Sequence, residues 1–251
     1  MLIVFIIFIF IIIIVSFLYN FISSNNLKAK KDNGDDLIIT VEYDKHRETG
    51  KLLRSFPDDY TIIDIETTGL KHREDKIIEI GALKYRNNKE IDSFSTLVKV
   101  DYIPSFICSY TNITNEMVKN APIIDDAIKQ FYDFIGDDVL VGYNVSFDIK
   151  FLYDALYETS NGNLLLKNDF IDVMYIAKRV LKDLENYKQV TVASYYNITI
   201  NNLHRAMDDC KLCCSIYECL KNDVLARWGS FDKFYKKYIP RKKKTENNKN
   251  E

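Results

Sequence analysis

Apolar and polar positions change period several times along the middle of this 251-residue chain. Three segments rich in β-branched residues, separated by short polar breaks, predict consecutive strands at Tyr60–Glu66, Lys76–Tyr85 and Glu90–Val100. Apolar spacing of three and four residues predicts helices at Asp125–Ile135, Val145–Glu158, 174–183, 190–196 and 204–227. Two further short strands are predicted at Val139–Tyr143 and Phe170–Val173. Strands followed by alternating strands and helices predict an α/β domain with a mixed central β-sheet flanked by helices.

The N-terminal segment has a different pattern. Residues 2–18 are almost entirely apolar, and no charged residue occurs before Lys28. With its aromatic flank, this run has the length of a tilted transmembrane helix. A cleaved signal peptide is the alternative, but no basic residue precedes the run and no small-residue cleavage site follows it. We therefore expect an uncleaved transmembrane anchor over residues 1–22.

The charges after the apolar run predict its orientation. Lys28, Lys30 and Lys31 follow it and no basic residue precedes it, so the remainder of the chain should stay on the cytoplasmic side of a single-pass membrane protein. The five cysteines agree with this, since they are odd in number and four of them cluster on one segment. Such a set is a poor disulfide framework.

Composition suggests four parts along the chain. The anchor is followed by a linker at 23–55, whose first part is rich in Ser, Asn, Lys and Asp, and then by a folded domain at 56–227. Residues 228–251 are a C-terminal extension with a Lys/Asn-rich, disordered tail. The formal net charge of -2 argues against broad electrostatic capture of nucleic acid. An enzyme of nucleic acids with this balance would grip few nucleotides, with divalent metals supplying positive charge.

Two carboxylates share one face of the first strand of this domain. Asp64 and Glu66 are two residues apart, so their side chains point the same way, whereas Ile63 and Ile65 point into a core. Gly69 permits the turn that ends the strand, which leaves the pair at the edge where open α/β sheets bind ligands. A plain solvent-facing Asp-x-Glu pair is the alternative, but the following Thr-Thr-Gly-Leu makes the segment more specific.

A third carboxylate occupies an apolar stripe. Asp148 precedes Phe151, Leu152 and Ala155 by three, four and seven residues on one predicted helix. A carboxylate that faces a core is costly unless it is paired or binds a metal. A favourable interaction with the N-terminal end of the helix dipole also contributes, although Asn144 is the better capping candidate.

The last predicted helix separates two adjacent aspartates. Asp209 shares a stripe with Ala206 and Cys213, whereas Asp208 aligns with polar residues. The nearby cysteines resemble half of a zinc site, but no second ligand pair follows at suitable spacing, and core positions fit them better. His204, about one turn before Asp209, is the one histidine with carboxylates predicted beside it, and it could take a proton near neutral pH.

These segments resemble a known family. Tyr60–Leu70, Gly142–Asp148 and Leu203–Asp209 resemble the Exo I, II and III motifs of the DnaQ-like 3′-to-5′ exonucleases, in the DEDDh subgroup of the RNase H-like superfamily. Asn112–Val118 resembles the linker between the first two motifs, and Pro57–Tyr60 fits the proofreading exonuclease domains of bacterial DNA polymerase III and their stand-alone relatives. The resemblance covers about residues 56–227.

The resemblance implies an RNase H-like fold and a metal-dependent exonuclease. Asp64, Glu66, Asp148 and Asp209 would hold two Mg²⁺ or Mn²⁺ ions, which favour oxygen ligands. His204 would deprotonate the attacking water, and nucleoside monophosphates would leave from a nucleic-acid 3′ end. The residues implied in substrate binding are Thr67, Leu70, Asn144 and Phe147. Phe151 would line a base pocket or pack in the core.

Three functions follow from these observations. The first is a membrane-tethered 3′-to-5′ exonuclease that acts on single-stranded DNA or DNA ends. An RNA 3′-end trimmer or oligoribonucleotide exonuclease is a rival with the same chemistry, because the motifs do not determine sugar preference. A non-catalytic binding module at the membrane is the third, but it would be expected to lack a metal ligand or His204, and none is missing.

Overall fold

The computed structural model describes residues 27–31, 37–41, 47–200 and 204–238. Its largest compact unit begins at Thr49 and contains a five-stranded mixed sheet in the order β5-β4-β3-β6-β7. The antiparallel strands are β3 (Tyr60–Thr67), β4 (Ile77–Arg86) and β5 (Lys89–Leu97). The parallel strands β6 (Leu140–Gly142) and β7 (Phe170–Asp172) continue the sheet beyond β3. The predicted α/β architecture with a mixed sheet is confirmed.

Eight helices lie in the described part of the chain. They are α1 (Ser105–Thr111), α2 (Asn115–Val118), α3 (Ile124–Ile135), α4 (Ser146–Thr159), α5 (Val173–Val180), α6 (Gln189–Tyr195), α7 (Ala206–Trp228) and α8 (Phe231–Tyr238). Helices α1, α2 and α8 are not predicted by the apolar pattern. Segments of four to eight residues are too short to show a helical apolar period, and α1 contains aromatic and β-branched residues that favour other conformations.

Alternation along β3 divides the core between the two faces of the sheet. Tyr60 and Ile62 pack on one face with residues of α5, α6, α7 and α8. Ile63 and Ile65 pack on the opposite face with residues of α3 and α4. A smaller cluster lies around α1 and α2 and includes Ile78 of β4. Asp64 and Glu66 continue the row of Tyr60 and Ile62, so they face the side that α7 covers.

Helix α7 begins directly over the centre of the sheet. Gly81 of β4 pairs with Asp64 of β3. A Cβ atom at Gly81 would lie only 2.8 Å from the carbonyl carbon of Ala206 and 2.9 Å from the amide nitrogen of Met207. The missing side chain therefore allows the start of α7 to approach β4 closely, which places Asp209 beside the acidic end of β3.

The folded unit is larger than the predicted domain of 56–227. Lys51 and Leu53 form backbone hydrogen bonds with Phe170 of β7, within the segment predicted as linker. Phe234 and Tyr235 of α8 are buried against the main core, within the predicted C-terminal extension. Both segments contribute aromatic or apolar side chains. These lie among charged residues, so the composition of the segments did not indicate that they are folded.

Of the residues described before Thr49, β1 (Leu27–Lys31) pairs antiparallel with β2 (Leu37–Val41) in a separate two-stranded sheet. These strands lie inside the predicted linker. The β-branched run at 37–41 is flanked by polar residues, so the composition of the whole segment did not indicate a strand. No helix among the described residues is long and apolar enough to cross a membrane. The predicted anchor at 1–22 and the tail from residue 239 lie outside the described residues.

Candidate active site

The acidic end of β3 forms the centre of the site. Asp64 and Glu66 both line a cleft of about 590 Å³ at the carboxyl edge of the sheet. β3 changes register with β4 between Glu66 and Thr67, so the strand departs from regular pairing directly after the acidic pair. Thr67 then closes the turn, because its hydroxyl donates to the carbonyl of Gly69 at 2.5 Å.

Asp148 reaches the same strand from the first turn of α4. Its Oδ1 accepts a hydrogen bond from the backbone amide of Ile65 at 3.1 Å, and the side chain is only 4% exposed. The amide of Ile65 lies between Asp64 and Glu66 in the chain, so this bond joins Asp148 to the acidic pair. The predicted capping role of Asn144 is not observed, because α4 has no side-chain cap. The backbone amide of Asn144 instead donates to Asp172 Oδ1 at 3.2 Å.

Asp209 and His204 come from the start of α7. His204 has a left-handed backbone with φ of 62°, and its amide donates to Asp209 Oδ2 at 3.0 Å. Asp209 is 8% exposed and lines the cleft, as the helical spacing predicts. Asp208 lies outside this cleft, beside Lys211 and Ser215.

The carboxylates resist ionisation where they lie. Burial, together with the charges of Asp148 and Asp209, raises the pKa of Asp64 well above its usual range. Burial and the neighbouring Asp209 raise the pKa of Glu66 to about 8. Burial raises the pKa of Asp148 to about 8, against the opposing amide of Ile65, and that of Asp209 to about 6. Ionisation of all four carboxylates therefore requires positive charge that the protein alone does not supply.

A fifth carboxylate, Glu79, was missed by the sequence analysis. It pairs with Glu66 across β3 and β4 and is 2% exposed. Arg205 donates from Nε and Nη2 to both of its oxygens at 2.8–3.2 Å, and the amide of Ala206 donates to Oε2 at 3.0 Å. Glu79 interrupts an apolar run, Ile-Ile-Glu-Ile, so the argument used for Asp148, a carboxylate at a position that faces a core, could have identified it as well.

Tyr110 of α1 is a second residue that the sequence analysis did not find. Its ring lies 3.8 Å from the ring of His204, centroid to centroid, with an interplanar angle of 31°. Tyr110 also lines the cleft, together with Lys178 and Lys188. Burial lowers the pKa of His204, so the imidazole is neutral at pH 7 and can accept a proton. No sequence signal links Tyr110 to His204, because they are far apart along the chain.

The residues implied in substrate binding have different environments. Leu70 is 74% exposed at the turn after β3, and Asn144 lines the cleft with an exposed side chain. Phe147 packs on Phe151, with ring centroids 4.9 Å apart, and Phe151 itself is buried in the core. Core packing, rather than the cleft, accounts for Phe151.

The donor set fits divalent cations. Glu66, His204 and Asp209 each offer a ligand atom within 4.8 Å of the others. The charge of Asp148 raises the pKa of the nearby Asp64. All four carboxylates present oxygen atoms, which Mg²⁺ and Mn²⁺ prefer. A bound cation would favour the ionised carboxylates and so offset the burial, and the smaller repulsion, that raise their pKa values.

The fold and the site together are those of an α/β nuclease. The family model RNase_T, described as Exonuclease, matches residues 61–217, and the chain belongs to this exonuclease family. The matched range begins in β3, ends in α7 and contains every carboxylate of the site.

Two relatives show how the chain compares with longer and shorter proteins. The DNA polymerase III PolC-type of Clostridium perfringens is 40% identical over 182 residues, which are 72% of this chain and 12% of that relative. The DNA polymerase III subunit epsilon of Aquifex aeolicus is 28% identical over 187 residues, which are 73% of this chain and 91% of the relative. This chain therefore spans only a small part of the PolC-type relatives.

Solved structures show the same fold. Exonuclease X in complex with 5′ overhanging duplex DNA aligns with a TM-score of 0.53 and 23% identity, covering 70% of this chain and 96% of that one. Exonuclease I of E. coli in complex with a dA16 oligonucleotide aligns with a TM-score of 0.58 and 17% identity, covering 72% and 43%. The mixed sheet with helices on both faces is thus a fold shared with exonuclease X and exonuclease I.

Proposed function

We propose that this protein is a metal-dependent 3′-to-5′ exonuclease that releases nucleoside monophosphates from the 3′ ends of single-stranded DNA. One observation carries the proposal: Asp64 and Glu66 of β3 and Asp209 of α7 line an open cleft beside His204, and Asp148 of α4 is hydrogen-bonded to the strand amide between the first two. Among the described residues, none of these four carboxylates forms an ion pair with a basic side chain. A structural acid network would be neutralised, as Glu79 is by Arg205. Buried carboxylates left in this state are suited to binding cations.

Each residue of the site has a distinct task. Asp64, Glu66, Asp148 and Asp209 would hold two Mg²⁺ or Mn²⁺ ions, which supply positive charge to the entering and leaving oxygens of the phosphodiester. His204, neutral because burial lowers its pKa, accepts the proton of the attacking water at its imidazole. The hydrogen bond from its backbone amide to Asp209 orients the imidazole-bearing turn beside the carboxylates.

DNA as the substrate is supported by the relatives, which are DNA polymerase III proteins, and by solved neighbours in complex with DNA. Lys178 and Lys188 line the cleft and provide positive charge for backbone phosphates close to the site. The near-neutral chain suits a grip on a few terminal nucleotides only.

The test uses the full chain, purified in detergent, with DNA and RNA oligonucleotides of matched sequence. We expect Mg²⁺-dependent shortening of 5′-labelled DNA in single-nucleotide steps, with no shortening in EDTA. Label at the 3′ end should appear at once as mononucleotide. Faster shortening of the RNA would make the protein an RNA 3′-end trimmer, and no shortening of either strand in Mg²⁺ or Mn²⁺ would leave only the binding module.

We further propose that residues 1–22 anchor the exonuclease to a membrane with its site on the cytoplasmic side. The long, almost entirely apolar run and the lysines that follow it support this. Fractionation of cells should place the full chain in membranes and a variant without residues 2–22 in the supernatant. Externally added protease should leave the exonuclease domain intact. Digestion of the domain without membrane lysis would show that it lies on the opposite side of the membrane.

A further inference from the structure

The outward face of α1 is aromatic and uncharged. Ser105, Phe106, Ser109 and Tyr110 are its exposed residues, and the helix contains no acidic or basic residue. Phe106 is 69% exposed and Tyr110 is 58% exposed. The inward residues Ile107 and Cys108 already pack on the small core under the helix, so the two rings are not needed to hold α1 in place.

Phe106 and Tyr110 form one stripe. They are four residues apart on a helix, so their side chains lie on the same face, one turn or about 5.4 Å apart. Tyr110 lines the catalytic cleft and packs on His204, whereas Phe106 is not among the residues that line the cleft. The stripe therefore runs from the reacting edge of the site onto the surface outside it.

This continuity with the cleft identifies the occupant. A nucleic-acid strand held with its terminal phosphodiester at the carboxylates must leave the cleft over its rim, and its bases offer flat faces that stack on exposed rings. Because α1 carries no charge, contacts with phosphates are left to the lysines of the cleft. The uncharged rings of α1 suit the bases instead. Two small serine side chains beside the rings leave their faces open.

We propose that Phe106 and Tyr110 form a stacking platform for the bases that lie 5′ of the scissile phosphate in a single-stranded substrate. The inference rests on the proposed exonuclease function and extends it to substrate length and strandedness. Paired bases are stacked on each other and cannot use the platform, so it selects single-stranded 3′ ends over blunt duplex ends. Tyr110 positions the first base beside His204, and Phe106 takes the next.

The test measures both binding and turnover with the full chain in detergent. Anisotropy of a 5′-fluorescein oligothymidylate of eight nucleotides, in Ca²⁺ to prevent hydrolysis, gives Kd. Initial rates in Mg²⁺ give KM and kcat. Phe106→Ala should raise Kd and KM at least about fivefold, the lower end of base-on-aromatic stacking, with kcat kept. Because Phe106 is exposed, the Tm of the variant should equal that of the wild type.

Two matched variants and one modified strand separate stacking from other roles. Phe106→Trp should retain wild-type KM, whereas Phe106→Leu, apolar but without a ring, should behave like Phe106→Ala. Leu225→Ala removes an exposed apolar side chain near the far end of α7 and should change nothing. An octamer with an abasic site at the third position from its 3′ end, the base assigned to Phe106, should bind wild type as weakly as Phe106→Ala binds the intact strand, without further loss in the variant.

Several outcomes would overturn the platform. Unchanged Kd in Phe106→Ala would do so and would leave α1 as a surface for a protein partner, and wild-type behaviour of Phe106→Leu would show an apolar contact instead of stacking. These results are distinct from failure of the exonuclease itself. A wild-type protein that binds the octamer through Phe106 but never shortens it would refute the enzyme and retain the platform.

Discussion

Glu66 and Glu79 are directly opposite each other on β3 and β4, yet the protein treats them differently. Glu79 is held by both nitrogen donors of Arg205 and by the amide of Ala206. Glu66 forms no ion pair with a described residue. Burial, followed by the charge of Asp209, raises its pKa to about 8 against the opposing charge of Arg205. Of these two paired carboxylates, Glu79 stabilises the fold and Glu66 is left available to bind a cation. An uncompensated buried acid therefore marks the functional part of this acidic region.

The largest effect should come from the available carboxylates. Asp209→Asn keeps the shape and the acceptor for the His204 amide but removes a charge from the cation site. We expect hydrolysis to fall at least about 100-fold. Asp208→Asn is the matched control on the adjacent, outward position and should stay close to wild type in single-turnover assays with Mg²⁺. Equal losses in the two variants would show that Asp209 is not special to the site.

The next effect concerns the proton acceptor. His204→Ala should lower kcat by about 10²- to 10⁴-fold, the usual contribution of a general base. Binding of Mn²⁺, followed by calorimetry or electron paramagnetic resonance, should persist because the carboxylates remain. Loss of Mn²⁺ binding together with activity would indicate that His204 is a ligand or a structural residue instead.

Removing Arg205 should turn Glu79 into a second uncompensated acid. Arg205→Ala leaves a 2% exposed carboxylate with only the Ala206 amide. We expect a loss of roughly 2–3 kcal/mol in the free energy of unfolding, below the range for a fully buried pair because Arg205 is partly exposed. In urea titrations, the double variant with Glu79→Gln should regain part of this loss. If Glu79→Gln adds its own full cost instead, the two side chains do not act as a pair.

The smallest effect is a pH-dependent change in stability without metal. A carboxyl whose pKa rises on folding stabilises the native state when it is protonated. The contribution of Asp148 should therefore be lost as pH rises from its ordinary value of 3.8 towards about 8. In EDTA, Asp148→Asn should raise Tm at pH 8 by a few degrees and change little at pH 5. Added Mg²⁺ should stabilise the wild type more than the variant at pH 8. A variant less stable than wild type at pH 8 in EDTA would refute the charge argument.

Much of the fold and site could be predicted because it depends on local periodicity. Strand alternation placed Asp64 and Glu66 on one face, and helical spacing separated the buried Asp209 from the outward Asp208. The short helices α1 and α8 escaped because their length does not exceed about two turns. Phe234 and Tyr235 were assigned to an extension, since their burial depends on a core formed by distant parts of the chain, such as Phe56, which contacts Tyr235.

By itself, the sequence determined which side chains could share a face and which carboxylates occupy positions where a core would otherwise hold an apolar side chain. Only the tertiary structure decided which acids are neutralised and which rings reach the site. Arg205 meets Glu79 across 126 positions of the chain, and Tyr110 of α1 meets His204 of the turn before α7. Such contacts depend on strand order and on close approach at Gly81, and neither leaves a periodic signal in the residues that take part.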